Sequence, residues 1–376
     1  MDENIFLAGS AAFVMLISLV LQVITLNLTR KNIYLGVRIP EEGREHKELK
    51  TLGNGFVKAN FVIGLPLVIF LTFLIYAFHN IMVYLGSIFA FLLIIFFIYY
   101  YYNNKVKILK EKNKWLNTKK QEIIIDTNFS KEKTSKVLPS PWWFIIPIIL
   151  IIVNIIINFN YYPFLPDRVP THWGANGQIN GYQNKAPILI FEMPLICLFL
   201  TVVMFISFKS IGWAKQELSG TNPEESKERN RIFRRTWSIF IIIGTIALNL
   251  LMTLGNLQIM QVSNLNNKAS MIFVLGFSIV FIASSVFLSV KVGQGGSKLK
   301  FDSIEKRSSI CNRDDDKYWL LGNTIFYNPD DPAVFVEKRF GIGWTVNAGT
   351  TAGKAIYAGI VLLLIFTIGI SYMSAK

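Results

Sequence analysis

Read by polarity alone, the chain alternates long apolar runs with polar or basic interruptions. Roughly eight of these runs are long enough for a helix, rising about 1.5 Å per residue, to cross a hydrocarbon layer of about 30 Å. They lie near residues 5–26, 58–78, 81–102, 142–161, 187–208, 236–256, 270–290 and 355–373. The first is read as a helix of the mature protein and not a secretory leader: its flank MDEN is acidic, and the basic residues TRK follow it.

Three interruptions are long. Residues 27–59 read as an extended or turn segment through Gly36 and Pro40, followed by a polar helix. Residues 103–141 continue the third helix and then offer EIIIDT, whose β-branched run suits a short strand. Residues 291–354 open on GQGGSK and then carry NTIFY, AVFVEKR and GIGWTVN around the turn NPDDP, where Pro fixes φ and Asn and Asp bond their own backbone. The pattern predicts an all-α polytopic membrane protein of about eight transmembrane helices, with a small cytosolic β-rich module before the last helix. Its regions are a three-helix membrane part over 1–141, a four-helix part over 142–290, the β-rich module over 291–354 and the last helix over 355–376.

Composition agrees. The chain is 52% hydrophobic and 16% charged, too apolar for one soluble core. Its net charge of +14 raises nucleic acid as a partner, but 34 of the 38 Lys and Arg fall in alternate interruptions, leaving Arg168, Lys185, Lys268 and Lys376 on the other side. The positive-inside rule explains that asymmetry, so no nucleic-acid partner is implied. It predicts both termini outside and the long basic loops in the cytosol. The heavy use of Ile, Asn, Lys, Phe and Tyr looks like that of an AT-rich bacterial genome, which makes the expected location a bacterial plasma membrane. Cys197 lies in a predicted helix and Cys311 in a loop, which gives neither a disulfide framework nor a cysteine metal site.

The short outward interruption LPDRVPTHWGANGQINGYQNKAP, Leu165 to Pro187, concentrates candidate chemistry. Asp167 and His172, with Glu192 on the next helix, form a candidate proton-sensing or ligand-binding group, because a carboxylate tunes a nearby imidazole. Trp173 suits a membrane interface and Lys185 is placed to reach Glu192 by snorkelling. In the alternative reading these residues only hydrogen-bond the loop into shape. Glu192 is the single acid inside a predicted span, bracketed by Pro187 and Pro194, which free backbone carbonyls. Asn154 and Asn158 share one helix face, as do Asn249 and Asn256; interhelical hydrogen bonding explains them more simply than a polar path. On the cytosolic side, Arg38 and the turn residues Pro329, Asp330 and Asp331 are candidate contacts for a soluble regulator. The common hydrolase, zinc-protease, nucleotide and CxxC signatures do not occur, so neither an enzyme, a cofactor nor a metal is expected.

Leu165, Pro166, Pro170, His172, Trp173, Gly177, Gly181 and Lys185 fit the pattern LPxxxPxHWxxxGxxxGxxxK. In this the chain resembles a bacterial membrane-protein family of unknown function whose motif is shared with SdpI-type immunity proteins, which protect cells from a secreted killing peptide and signal its presence. NIYLGVRIP resembles the N-x-x-x-G-x-R-x-P loop of the same immunity family, here placed before the outward motif. The stretch YNPDDP to VEKRFGIGWTVN resembles a second uncharacterised cytosolic module. The resemblance implies sensing of, or immunity to, an extracellular peptide or envelope stress, with the lipid bilayer, an extracellular peptide and a cytosolic regulator as partners. The competing reading is a transporter or channel using Glu192; a third is a membrane enzyme using His172 and Asp167.

Overall fold

Where nearly every residue of a helix is apolar, the lipid and the protein interior compete for the same side chains, and close packing with a few polar ties fixes the neighbours. The computed structural model describes residues 3–30, 32–115, 137–174, 178–216, 223–262, 267–300 and 315–374. Helices α1 (Glu3–Leu28), α2 (Lys47–Phe78) and α3 (Ile81–Lys112) pack on one another. Met15, Leu19, Val68, Ile75 and Phe91 fill the centre of this bundle. Its polar tie is Gln22 of α1, whose amide donates to Asn60 of α2 and to the Ile95 carbonyl of α3, each at 2.8 Å.

A second bundle joins α4 (Ile145–Tyr161), α5 (Leu189–Trp213) and α6 (Pro223–Ile259). Helix α7 (Asn267–Val292) lies against α6, with Phe281 stacked on Phe240 at 4.7 Å and set against the bare backbone of Gly244. Helix α8 (Thr351–Ser374) occupies the eighth predicted run. Among the described residues, seven helices are long and apolar enough to cross a membrane by length and composition. Several extend past the apolar runs: α2 begins at Lys47, α3 continues to Lys112 and α6 begins at Pro223. Apolarity stops where the bilayer would, while backbone hydrogen bonding continues into polar sequence.

The remaining elements are hairpins. Strands β1 (Ile33–Tyr34) and β2 (Val37–Arg38) turn through Leu35 and Gly36, both at positive φ, as a tight hairpin requires. Strands β3 (Arg168–Trp173) and β4 (Ile179–Asn184) form a second hairpin where the sequence predicted only a loop. Before α8, β5 (Trp319–Leu320) pairs with β6 (Ile325–Phe326), and β7 (Phe335–Glu337) with β8 (Trp344–Val346). A parallel bridge between Phe326 and Asn347 joins these two pairs into the expected β-rich module. The strand expected at EIIIDT lies outside the described residues. The bundle therefore has a hairpin end, carrying β3 and β4, and a module end.

Candidate functional site

The β3–β4 hairpin is fixed to the helices at two points. Val169 is fully buried with Leu165, Leu189 and Met260, the last directly after α6. Lys185 extends back to the turn that ends α4, its Nζ donating to the carbonyls of Pro163 at 2.9 Å and Leu165 at 2.8 Å. Carbonyls at a helix C-terminus lack helical partners and carry partial negative charge, so a lysine there both satisfies and neutralises them. Its ammonium also stands 5.3 Å from the centre of the Tyr162 ring. The predicted reach from Lys185 to Glu192 is thus replaced by one in the opposite direction.

His172 sits between two irregularities in strand pairing. The first leaves Thr171 and the second Asn180 without a cross-strand partner, and Asn180 Oδ1 then accepts from Nδ1–H of His172. This contact holds the orientation of an otherwise exposed ring. Gly181 faces His172, and a Cβ there would lie 2.7 Å from the His172 Cβ, which is why a glycine stands opposite the histidine. Trp173 is half-buried opposite Ile179; Asp167 is exposed and accepts the Lys185 N–H through its own carbonyl at 2.8 Å. Glu192 is exposed in the first turn of α5, where the helix dipole favours an acid. Among the described residues, no three His, Cys, Asp or Glu side chains converge as metal ligands would.

Beneath the hairpin runs a buried amide ladder. Asn256 Nδ2 donates to Asn154 Oδ1 at 2.9 Å and Asn158 Oδ1 at 2.7 Å, and Asn154 Nδ2 donates to Thr253 at 2.8 Å. Asn249 donates to Thr201 of α5 at 3.0 Å. These are the interhelical hydrogen bonds expected of the four asparagines. Asn158 also donates to the Ile190 carbonyl at 2.8 Å. That carbonyl lacks its usual helical donor because residue 194 is proline, so the side chain of α4 repairs a gap in α5.

At the module end the sequence pairs acids of the module with bases of the helix ends and of β2. Glu337 binds Arg30 at 2.6 Å, Asp315 binds Arg38 at 3.2 Å, Asp316 binds Lys110 at 2.5 Å and Asp331 binds Lys215 at 2.5 Å. Arg339, itself buried, adds pairs to both Asp315 and Asp316. Burial pushes the Asp316 carboxyl up, but Arg339 and Lys110 outweigh it and hold it below the usual carboxylate range. Aromatic contacts accompany the charges: Phe335 on Trp213 at 6.3 Å, Trp344 on Phe233 at 5.3 Å and Phe340 on Tyr99 at 4.1 Å. Inside the module, the Asn347 side chain uses all its amide capacity. It accepts from Asn328 N and Gly349 N, both at 2.9 Å, and donates to the carbonyls of Asn328 at 2.9 Å and Asp331 at 3.0 Å. Of the predicted partner contacts, Arg38 and Asp331 are buried in these internal pairs, while Pro329 and Asp330 are exposed.

The sequence reading did not single out Met260, Lys110, Asp315, Asp316, Glu337 or Asn347. The acidic run at Asp314–Asp316 in a chain rich in basic loops was the available signal for the ion pairs. Nothing local marks Asn347 as the centre of its turn.

This architecture defines a multi-pass integral membrane protein with an ion-paired β-module closing one end. Two family models match parts of it: a domain of unknown function, DUF1648, over residues 149–198, and a family of unknown function, DUF5808, over residues 329–354. The first match takes in most of α4, the hairpin and the start of α5; the second takes in β7, β8 and Asn347. No curated protein and no solved structure matches the chain.

Proposed function

We propose that the protein is a bacterial plasma-membrane sensor of, or immunity protein against, an extracellular membrane-active peptide, with the hairpin end outside and the module end in the cytosol. The observation that carries this reading is α6. It is an unbroken helix of 37 residues, about 55 Å long, that meets the hairpin at one end and the module at the other. Met260 packs with Val169 of β3, while Phe233 packs on Trp344 of β8. A ligand that moves the hairpin bears directly on an element that ends at the module.

The resemblance to SdpI-type immunity proteins supports the same reading, as does the clustering of basic residues at the module end. His172, with its ring held by Asn180, and the neighbouring Asp167 and Trp173 are the ligand contacts in this proposal; Lys185 holds the hairpin in place. A cytosolic regulator would meet the exposed Pro329 and Asp330. Transport through Glu192 would need that acid between the helices, and it stands exposed at the start of α5.

The test is survival of a deletion strain across a panel of membrane-active peptides, complemented by the native protein or by His172→Ala at equal membrane abundance. Selective sensitivity that the native protein reverses and His172→Ala does not is the expected result. Equal survival of all strains against every peptide would defeat the proposal.

A further inference from the structure

Most large apolar side chains of the module are covered, but Leu320 and Leu321 are 46% and 59% exposed. They lead into the turn between β5 and β6, where Leu321, Gly322 and Asn323 take φ values of 45°, 63° and 68° in succession. A leucine is strained in this left-handed region, which glycine and asparagine tolerate. Leu35 has the same φ of 45° but is only 1% exposed, so its burial offsets the strain. Leu321 shows its side chain to the surroundings instead.

The turn lies beside the end of the membrane-crossing part of α3. A Cβ on Gly322 would come within 3.1 Å of Tyr100 and 3.2 Å of Tyr99, and Asn323 donates to the Tyr99 hydroxyl at 3.5 Å. On either side of them Phe97 is 55% exposed and Tyr101 52%, a face that lipid covers in a membrane protein. Just after come Asn103 and Lys105, so these tyrosines stand at the level where tyrosine prefers the membrane interface. Basic groups accompany both elements: on α3 Lys105 lies 4.6 Å over the Tyr101 ring, and just before β5 the exposed Lys317 lies 4.8 Å over the Tyr318 ring.

We propose that the β5–β6 turn is a membrane-contacting wedge. Leu320 and Leu321 enter the interfacial layer of the bilayer beside α3, continuing its lipid-facing surface, and Lys105 and Lys317 meet anionic lipid headgroups there. The module is then held both by its ion pairs and by the lipid. This reading does not depend on what the hairpin senses.

Spin labels test it in the full chain with Cys197→Ala and Cys311→Ser, reconstituted in nanodiscs of phosphatidylethanolamine and phosphatidylglycerol. Labels are placed at Leu321→Cys, at Leu320→Cys, and at Asp330→Cys on an exposed part of the module. The ratio of collisions with oxygen to collisions with a water-soluble nickel chelate should be several-fold higher at 320 or 321 than at 330. Ratios at 320 and 321 equal to that at 330 would overturn the proposal. Using two wedge positions guards against failure of the Leu321 variant to fold.

Discussion

The side-chain amide of Asn158 donates to the Ile190 carbonyl at 2.8 Å, replacing the N–H that Pro194 cannot supply. Asn158 is fully buried and also accepts from Asn256, so its loss leaves two polar groups unmatched in an apolar setting. Asn158→Leu should cost about 1–2 kcal/mol of stability. In a Pro194→Ala background the restored N–H meets the Ile190 carbonyl, and the same substitution should cost roughly 1 kcal/mol less. Unfolding in mixed micelles gives the double-mutant cycle. Equal costs in the two backgrounds would show that the bond does not serve this repair.

Lys185 is a brace in the geometry, not a partner of Glu192. Lys185→Met removes the ammonium from the carbonyls of Pro163 and Leu165 while keeping the length of the stem. The hairpin amides should then exchange with solvent about tenfold faster, corresponding to roughly 1.4 kcal/mol for a charged hydrogen-bond donor. Hydrogen exchange read over Arg168–Asn184 measures this, and Glu192→Gln should leave the same amides unchanged. A comparable effect of both variants would restore the pairing that the sequence suggested.

The helices were legible because a bilayer demands long apolar runs, and that demand is written residue by residue. Their polar extensions were not, because apolarity marks the membrane and says nothing of where helical hydrogen bonding stops. The module strands were legible in NTIFY, AVFVEKR and GIGWTVN, whose turn residues punctuate them. The β3–β4 hairpin was hidden by Pro170, by Gly181 and by the two pairing irregularities beside His172, all of which disguise strand periodicity. The asparagine faces could be read from helical spacing, but the Asn158 bond depends on how α4 meets α5. The ion pairs lie further still from local pattern: Arg38 and Asp315 are 277 residues apart.

Asp316 gives the module a defined response to acid. Its folded-state pKa is depressed, with Arg339 and Lys110 overcoming the effect of burial. A depressed carboxylate contributes stability that is fully present above its unfolded value of about 3.9 and is lost as pH falls through the folded value. The contribution of Asp316 should therefore stay constant from pH 7 to about 5 and disappear only below the ordinary carboxylate range. Protease protection of the module, compared between the native chain and Asp316→Asn in nanodiscs, reads this contribution. The gap between the two should be level down to about pH 5 and close below about pH 4. A gap already closing near pH 6 would mean that the carboxyl is not held down.

The β1–β2 turn and the β5–β6 turn meet so closely that glycine is needed at the contact. Gly36 has φ +81°, and a Cβ there would lie 2.2 Å from Asn323 Nδ2 and 2.5 Å from the Tyr99 hydroxyl. Gly36→Ala should therefore destabilise through backbone strain of about 1 kcal/mol and also by pushing Asn323 away from α3. The two parts separate in an Asn323→Gly background, which opens the space while keeping a residue that tolerates positive φ. There Gly36→Ala should retain its backbone cost and lose part of the steric one, which paired thermal unfolding curves would show. If the alanine costs the same with and without the Asn323 side chain, the turns do not press on one another. The sequence feature GVR would then be explained by the hairpin alone, without the module.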